Sequence, residues 1–312
     1  MANVGRILKT SHPDLYNLNI QNQFVQGYGD PTPQYGMLYK TINTKLQDER
    51  FSNITGLGLY SKQGFGSNPT FDSIYQGYDC TITPAMYSKG YTVEKTTLAD
   101  DPTGLISGGP LARSHAAMAK ETLEVLGVSI LNTAALGVSS DWGAYPNGET
   151  LLDDTHAKPS GGTLDNLSSS TLSIAALQAG YIAMAKTQSA RGNINPVTPS
   201  MVVVPPDSKF LLDQLLDSTG MPYSADNTVN SVKGLFKKVV LSRLTNSTAW
   251  FMMADPASEI GGKGSGLVCI LRQNPEFRTG NVLLSGDRQH IGDFRVGFGW
   301  YDWRGIYGYS TT

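Results

Sequence analysis

The sequence predicts an α+β protein, with its helices and strands in separate stretches of the chain. Three observations predict it. An apolar stripe runs along "SGGPLARSHAAMAKETLEVLGVSILNTAAL" at helical spacing. The run "MVVVPPDSKFLLDQLLD" drives a buried strand into a helix. The segment "DFRVGFGWYDWRGIYGY" alternates at period two. With 312 residues the chain can hold one large domain or two medium ones, with a sizeable core.

Residues 1–50 are extended and polar, with no helical stripe of useful length. Such a segment buries little by itself, so it must lie on another surface or stay mobile. Residues 54–101 mix turn residues with short β-like runs. Cys80 and Ile82, then Tyr91 and Val93, fall at period two, with "PAMYSKGYT" as the turn between them. The expectation is a long two-stranded excursion. An isolated ribbon is marginal in water, so it should need a partner surface.

In the long helix, Pro110 suits the first helical position. Ala112, Ala116, Ala119, Leu123, Leu126, Ile130 and Ala134 form the expected apolar face. The helix spans about 25 residues, roughly 38 Å at 1.5 Å per residue. Gly127 weakens it by about 1 kcal/mol relative to alanine. Residues 137–170 are loop-rich. Ser173 is then a candidate N-cap for a second helix, with Leu177, Tyr181 and Met184 on one face.

At the strand-to-helix corner, "MVVVPP" has the continuous apolar run of a strand covered on both sides. Pro206 and Asp207 suit a helix start, and Phe210, Leu211, Leu215 and Leu216 are the expected buried stripe. Strands are expected at "LFKKVVLSRL", "TAWFMMAD", "GLVCILRQ" and "NVLLSG". In the last segment Phe294, Val296, Phe298 and Trp300 share a face. Trp303, Tyr307 and Tyr309 follow in the opposite phase, which calls for a bulge or bend near Asp302.

Composition excludes several classes of function. Only 16% of residues are charged and the net charge is −2. Avid binding of DNA through phosphate neutralisation would need a basic surplus. No stretch reaches the ~20 apolar residues of a membrane span. The N-terminus lacks the apolar core of a secretion signal, so synthesis and folding in a cytoplasm are expected. Cys80 and Cys269 lie in apolar, strand-like surroundings and read as buried free thiols.

Catalytic patterns are sparse. Asp153, Asp154 and His156 are metal-binding residue types. His12, His115 and His290 stand in dissimilar contexts, and no zinc spacing exists. A polar loop with side-chain capping accounts for the cluster, and His115 reads as a packed or surface histidine. "GGKGSG" fails the phosphate-loop pattern and precedes a strand, so a mobile surface loop is expected there. No G-x-S-x-G elbow is present. The reading is a chain with no catalytic residue, no metal and no cofactor.

The order of elements, with "LLDDTHAKPSGGTLDNLSSSTLSIAAL", "PVTPSMVVVPPDSKFLLDQLLDS" and "FRVGFGWYDWRGIYGYS", resembles the major capsid proteins of tailed phages, which share the HK97-like fold. Mu-like major head subunits are the nearest type. In that family an apolar strand ending in "VPP" enters a helix. It follows an earlier helix begun by a Leu-Ser pair, here Leu172 and Ser173. The resemblance implies an N-terminal arm (1–50) and an extended E-loop region (51–104). It also implies a P domain with a spine helix (105–139 and 249–312) and an A domain (140–248).

The function implied is a major capsid protein that self-assembles into homo-hexamers and homo-pentamers of an icosahedral head. That head would enclose a double-stranded DNA genome, held by weak non-specific contact. Scaffolding protein, portal protein and a decoration protein are the other partners implied, with no membrane. Assembly would occur in the host cytoplasm and the product would be the virion. Gly64, Phe65, Phe71, Tyr75, Tyr78, Tyr87 and Tyr91 are the expected contacts between subunits. The alternatives are an encapsulin-like cargo shell, which shares the fold, and an α/β hydrolase, which the missing nucleophile elbow opposes. A tail or fibre protein fits the long helix poorly.

Overall fold

Two long strands, β11 (Leu267–Asn281) and β12 (Arg288–Trp300), pair antiparallel and form the centre of the larger sheet. The computed structural model describes residues 6–7, 33–54, 56–66, 68–74, 76–100, 109–135, 149–158, 161–222, 228–258 and 264–310. Beside β12 lies β5 (Ala85–Val93), which in turn pairs parallel with the short β1 (Arg6–Ile7). On the other side, β2 (Lys40–Asn43) pairs parallel with the first part of β11. The register of β11 shifts between Leu271 and Glu276, where Pro275 offers no N–H to a ladder.

The expected hairpin between the Cys80 and Tyr91 runs does not form. The first run is β4 (Gln76–Ile82), and its partner is β3 (Glu49–Ile54). The second run is β5, joined to the main sheet. "PAMYSKGYT" is therefore largely strand, because β12 offers that segment a longer ladder than β4 could. The excursion is the β3–β4 ribbon with residues 56–74 at its end.

Residues 33–43 belong to the body. A 3-10 turn at Tyr35–Met37 is capped by Glu124, whose Oε2 accepts the Gln34 and Tyr35 N–H groups at 2.7 and 3.0 Å. Leu38 and Tyr39 are buried, and the Tyr39 hydroxyl donates to the Gly127 carbonyl at 2.5 Å. Residues 8–32 of the expected arm lie outside the described residues.

A short helix, α1 (Lys95–Ala99), precedes the long helix, α2 (Gly109–Asn132). The predicted α2 face is right at Leu123, Ile130 and Ala134, while Ala119 and Leu126 pack at its margin. Ala116 is exposed, and the sequence reading missed Val128 and Leu131, both fully buried. Gly127 is explained by a close approach, since a Cβ there would lie 2.7 Å from the Cβ of Tyr35.

The smaller sheet has the order β13–β10–β8–β9, from β8 (Pro199–Val204), β9 (Lys237–Val240), β10 (Trp250–Ala254) and β13 (Ile306–Tyr309). Both its faces are covered. Met201, Val203, Val239, Phe251 and Met253 face α2 and the larger sheet's core. Val202, Val204, Trp250, Met252 and Ala254 face α3 (Ile174–Ala185) and α4 (Lys209–Asp217). Every residue of β10 is buried, which explains the unbroken apolar runs.

Ser173 caps α3 as expected, its hydroxyl accepting the Ala176 N–H at 3.2 Å. Leu177 and Met184 are buried as predicted, whereas Tyr181 is exposed. Gly180 completes the face, because the Tyr307 ring lies 2.8 Å from where its Cβ would stand. At the corner, Pro206 opens a 3-10 turn (Pro206–Ser208) ahead of α4. The buried set is Leu212, Leu215 and Leu216, and Phe210 is exposed. The tighter turn at the start rotates the stripe away from Phe210.

"NVLLSG" is the turn between β11 and β12 and not a strand, with Val282 N–H bonded to the Asp287 carbonyl at 2.8 Å. The break near Asp302 is a crossover. Phe294, Val296, Phe298 and Trp300 are buried in β12 as predicted, and the chain then turns at 301–305 into β13 of the other sheet.

Candidate assembly surfaces

The cluster weighed as a metal or catalytic site is a structural joint. His156 is fully buried and stacks on Trp303, with ring centroids 4.0 Å apart and planes 2° apart. Its Nδ1 lies 2.8 Å from Glu149 Oε2, and its Nε2 lies 3.0 Å from Asn166 Oδ1. Asn166 in turn donates to the carbonyls of Leu151, Trp303 and Ile306. Asp153 turns the other way and accepts the Thr155 N–H and hydroxyl at 2.9 and 2.7 Å. Burial pushes its carboxyl up, but the hydrogen bonds it accepts from Thr155, with the charge effect of the nearby His156, outweigh this and hold it below its usual value. These groups are spent on one another and on backbone. Among the described residues no group of three or more His, Cys, Asp or Glu could hold a metal ion.

Both cysteines are buried free thiols, as predicted. Burial pushes Cys80 up to about 11 and Cys269 up to about 12. The described part of the "GGKGSG" segment is not a surface loop, because Ser265 is buried and donates to the Leu38 carbonyl at 3.3 Å.

The unusual chemistry of this chain is exposed apolar surface. On the excursion Leu59, Tyr60, Phe65 and Phe71 stand almost wholly in solvent, at 85% or more. A monomer gains nothing from such a row, and exposed apolar patches mark interaction sites. Leu283 and Leu284, at the β11–β12 tip, are fully exposed too. A groove of about 430 Å³ runs between α2 and the larger sheet, walled by Met118, Val125, Tyr87, Phe277 and Phe294. No described helix is long and apolar enough to cross a membrane.

The residues expected to join subunits divide in place. Gly64, Phe65 and Phe71 lie on the exposed excursion. Tyr78 lies in β4. Tyr87 and Tyr91 lie in β5, where Tyr87 stacks on Phe294 at 5.5 Å and Tyr91 on His290 at 4.8 Å. Those two rings are thus engaged within their own subunit. Tyr75 lies outside the described residues. The sequence reading did not single out Leu59, Tyr60, Leu283 or Leu284, whose exposure no local pattern in the sequence reveals.

A family model described as phage capsid protein matches residues 81–308. The chain belongs to that family. This capsid protein also shares its fold with solved phage capsids, at sequence identities that speak for fold alone. The mature capsid of phage PhiM1 aligns with a TM-score of 0.60 and 10% identity, covering 92% of this chain and 89% of that one. The capsid of cyanophage P-SCSP1u aligns at 0.57 and 11%, covering 92% and 90%. The decorated capsid of bacteriophage JBD30 aligns at 0.56 and 13%, covering 77% and 99%. No curated protein matches the capsid protein in sequence. The fold is HK97-like, and the protein is a structural component of the virion.

Proposed function

We propose that the capsid protein self-assembles as the major subunit of an icosahedral head, in homo-hexamers and homo-pentamers. The observation that carries this reading is the excursion, whose apolar side chains have no cover within the described subunit. Covering such a row between copies removes it from water at roughly 25 cal/mol per Å². The E-loop region 51–104 is then a joint between subunits, through Gly64, Phe65 and Phe71. Of residues 1–50, the part ahead of residue 33 acts as the arm and 33–43 anchor it in the body, with 105–139 and 249–312 as the P domain and 140–248 as the A domain. The boundary at 248/249 falls within the smaller sheet, so the A and P domains share a wall.

The head encloses double-stranded DNA. Near-neutral net charge suits a shell that surrounds nucleic acid through weak contact. A scaffolding protein and a portal protein are the assembly partners, in the host cytoplasm. A decoration protein is a further partner, since one aligned capsid is decorated with minor capsid protein trimers.

Sedimentation and negative-stain microscopy of the expressed protein test the reading. Capsomers or closed shells are the expected products. A strictly monomeric chain under all assembly conditions, scaffold present, would overturn it. Heads from a producing host should protect DNA from nuclease, and heads that hold only protein cargo would favour an encapsulin-like shell.

A further inference from the structure

The excursion is clipped back onto its own subunit. Arg191, in the loop after α3, donates from Nη1 to both Asp72 carboxylate oxygens at 2.7 Å. Its Nη2 donates to the Ser73 carbonyl. Asp72 Oδ2 also accepts the Gly58 N–H at 2.6 Å, and the Ser61 and Thr70 hydroxyls lie 3.0 Å apart. These bonds tie the two limbs of the loop together, and Arg191 holds the tied loop to the body. The fit is close, since a Cβ on Gly58 would lie 3.0 Å from the Asp72 carboxylate and 3.6 Å from Arg191.

The clamp is polar while the excursion's apolar residues stay uncovered. Opening it therefore exposes little apolar surface. Charge-assisted bonds of this kind are short and set geometry, yet partly exposed pairs contribute modestly to stability. A contact of that strength suits a position that must be held and then given up.

We propose that the Arg191–Asp72 clamp is a latch that parks the excursion on its own subunit and must open before the excursion joins another. The proposal rests on the reading that the excursion joins subunits. Only the open fraction is competent to associate, so apparent association weakens in proportion to the closed fraction. The latch is thus a brake on premature assembly.

Lys62, exposed on the excursion, supplies the readout. Dilute subunits are digested with an endoproteinase that cuts only after lysine, and cleavage after Lys62 is followed by mass. The variants are Asp72→Ala, Arg191→Ala and the two together. Asp72→Ala, which also loses the Gly58 contact, and Arg191→Ala, which also loses the Ser73 contact, should each be cut about fivefold faster, and the double far less than the product of the two. Unchanged single variants, or a double that reaches that product, would overturn the latch. The single variants should also form shells at about a fivefold lower subunit concentration. Faster cleavage with an unchanged or higher threshold would overturn the brake. A wild type that never assembles would overturn the assembly reading, and cleavage would still decide the latch.

Discussion

The carbonyl oxygen of Asp302 occupies the space where a side chain on Gly266 would begin. Gly266 also sits at φ +74°, in the left-handed region that favours glycine. Its carbonyl accepts the Tyr301 N–H at 3.1 Å, so the start of β11 is locked to the crossover between the two sheets. Gly266→Ala combines overlap with backbone strain and should cost about 3 kcal/mol or more. A wild-type thermal midpoint would show that the crossover can shift.

Val128 has no exposure, whereas Leu126 lies at the margin of the core. Val128→Asp should bury an unpaired charge at a cost of several kcal/mol and give no particles. Val125→Asp, on the exposed groove face, should leave the subunit folded. Circular dichroism on both variants checks the assignment of faces, and similar damage from the two would contradict it.

Replacing residues 64–75 with a short Gly-Ser turn should leave secondary structure and thermal stability nearly intact, because the described side chains there are exposed. Shell formation should be lost. Sedimentation and dichroism on one preparation separate the outcomes. An unfolded subunit would place the loop in the core, and normal shells would remove it from the joints.

His156→Phe should keep the stack on Trp303 and remove one contact each from Glu149 Oε2 and Asn166 Oδ1, while the Ala157 and Asp153 N–H groups still bond to the same two side chains. Losing these contacts around a buried ring costs about 1–3 kcal/mol. Denaturant unfolding measures it. A neutral result would mean that water replaces the imidazole without loss.

The thiols give a pH test. Cys80 and Cys269 are raised from 9.0 to about 11 and about 12 by burial. The folded state therefore holds their protons more tightly than the unfolded state. Their contribution is intact below pH 9 and is lost as pH rises toward 11 and 12. At pH 8 a thiol reagent should label neither cysteine in the folded subunit and both after denaturation. Rapid native labelling at either position would place that thiol at the surface.

Much of this fold was legible because burial leaves periodic marks. The β12 face, the Ser173 cap and the two-sided burial of β8 and β10 follow from apolar spacing and one hydroxyl. Pairing was less legible. β4 and β5 are neighbours in sequence, yet each finds a distant partner, and nothing local in "DCTITPAMYSKGYTV" encodes that choice. Phase errors at Phe210 and Tyr181 arose where a 3-10 turn or a helix margin shifted the stripe. The Arg191–Asp72 clamp joins residues far apart in the chain, so no motif could reveal it. Exposed aromatics are hard to read for a related reason, since one chain cannot say whether a phenylalanine is covered by itself or by its neighbour.

The smaller sheet is a party wall, with a packed core against each side. Such a wall offers no seam along which one half of the body could slide past the other without tearing both cores. A closed surface built from these units must bend somewhere. The bending then falls to the fringes, where the ribbon and the leucine-tipped hairpin project, and the tile itself stays stiff. In a head of the proposed kind, differences in curvature between five-fold and six-fold surroundings would be written in those fringes, with the same body repeated in every place.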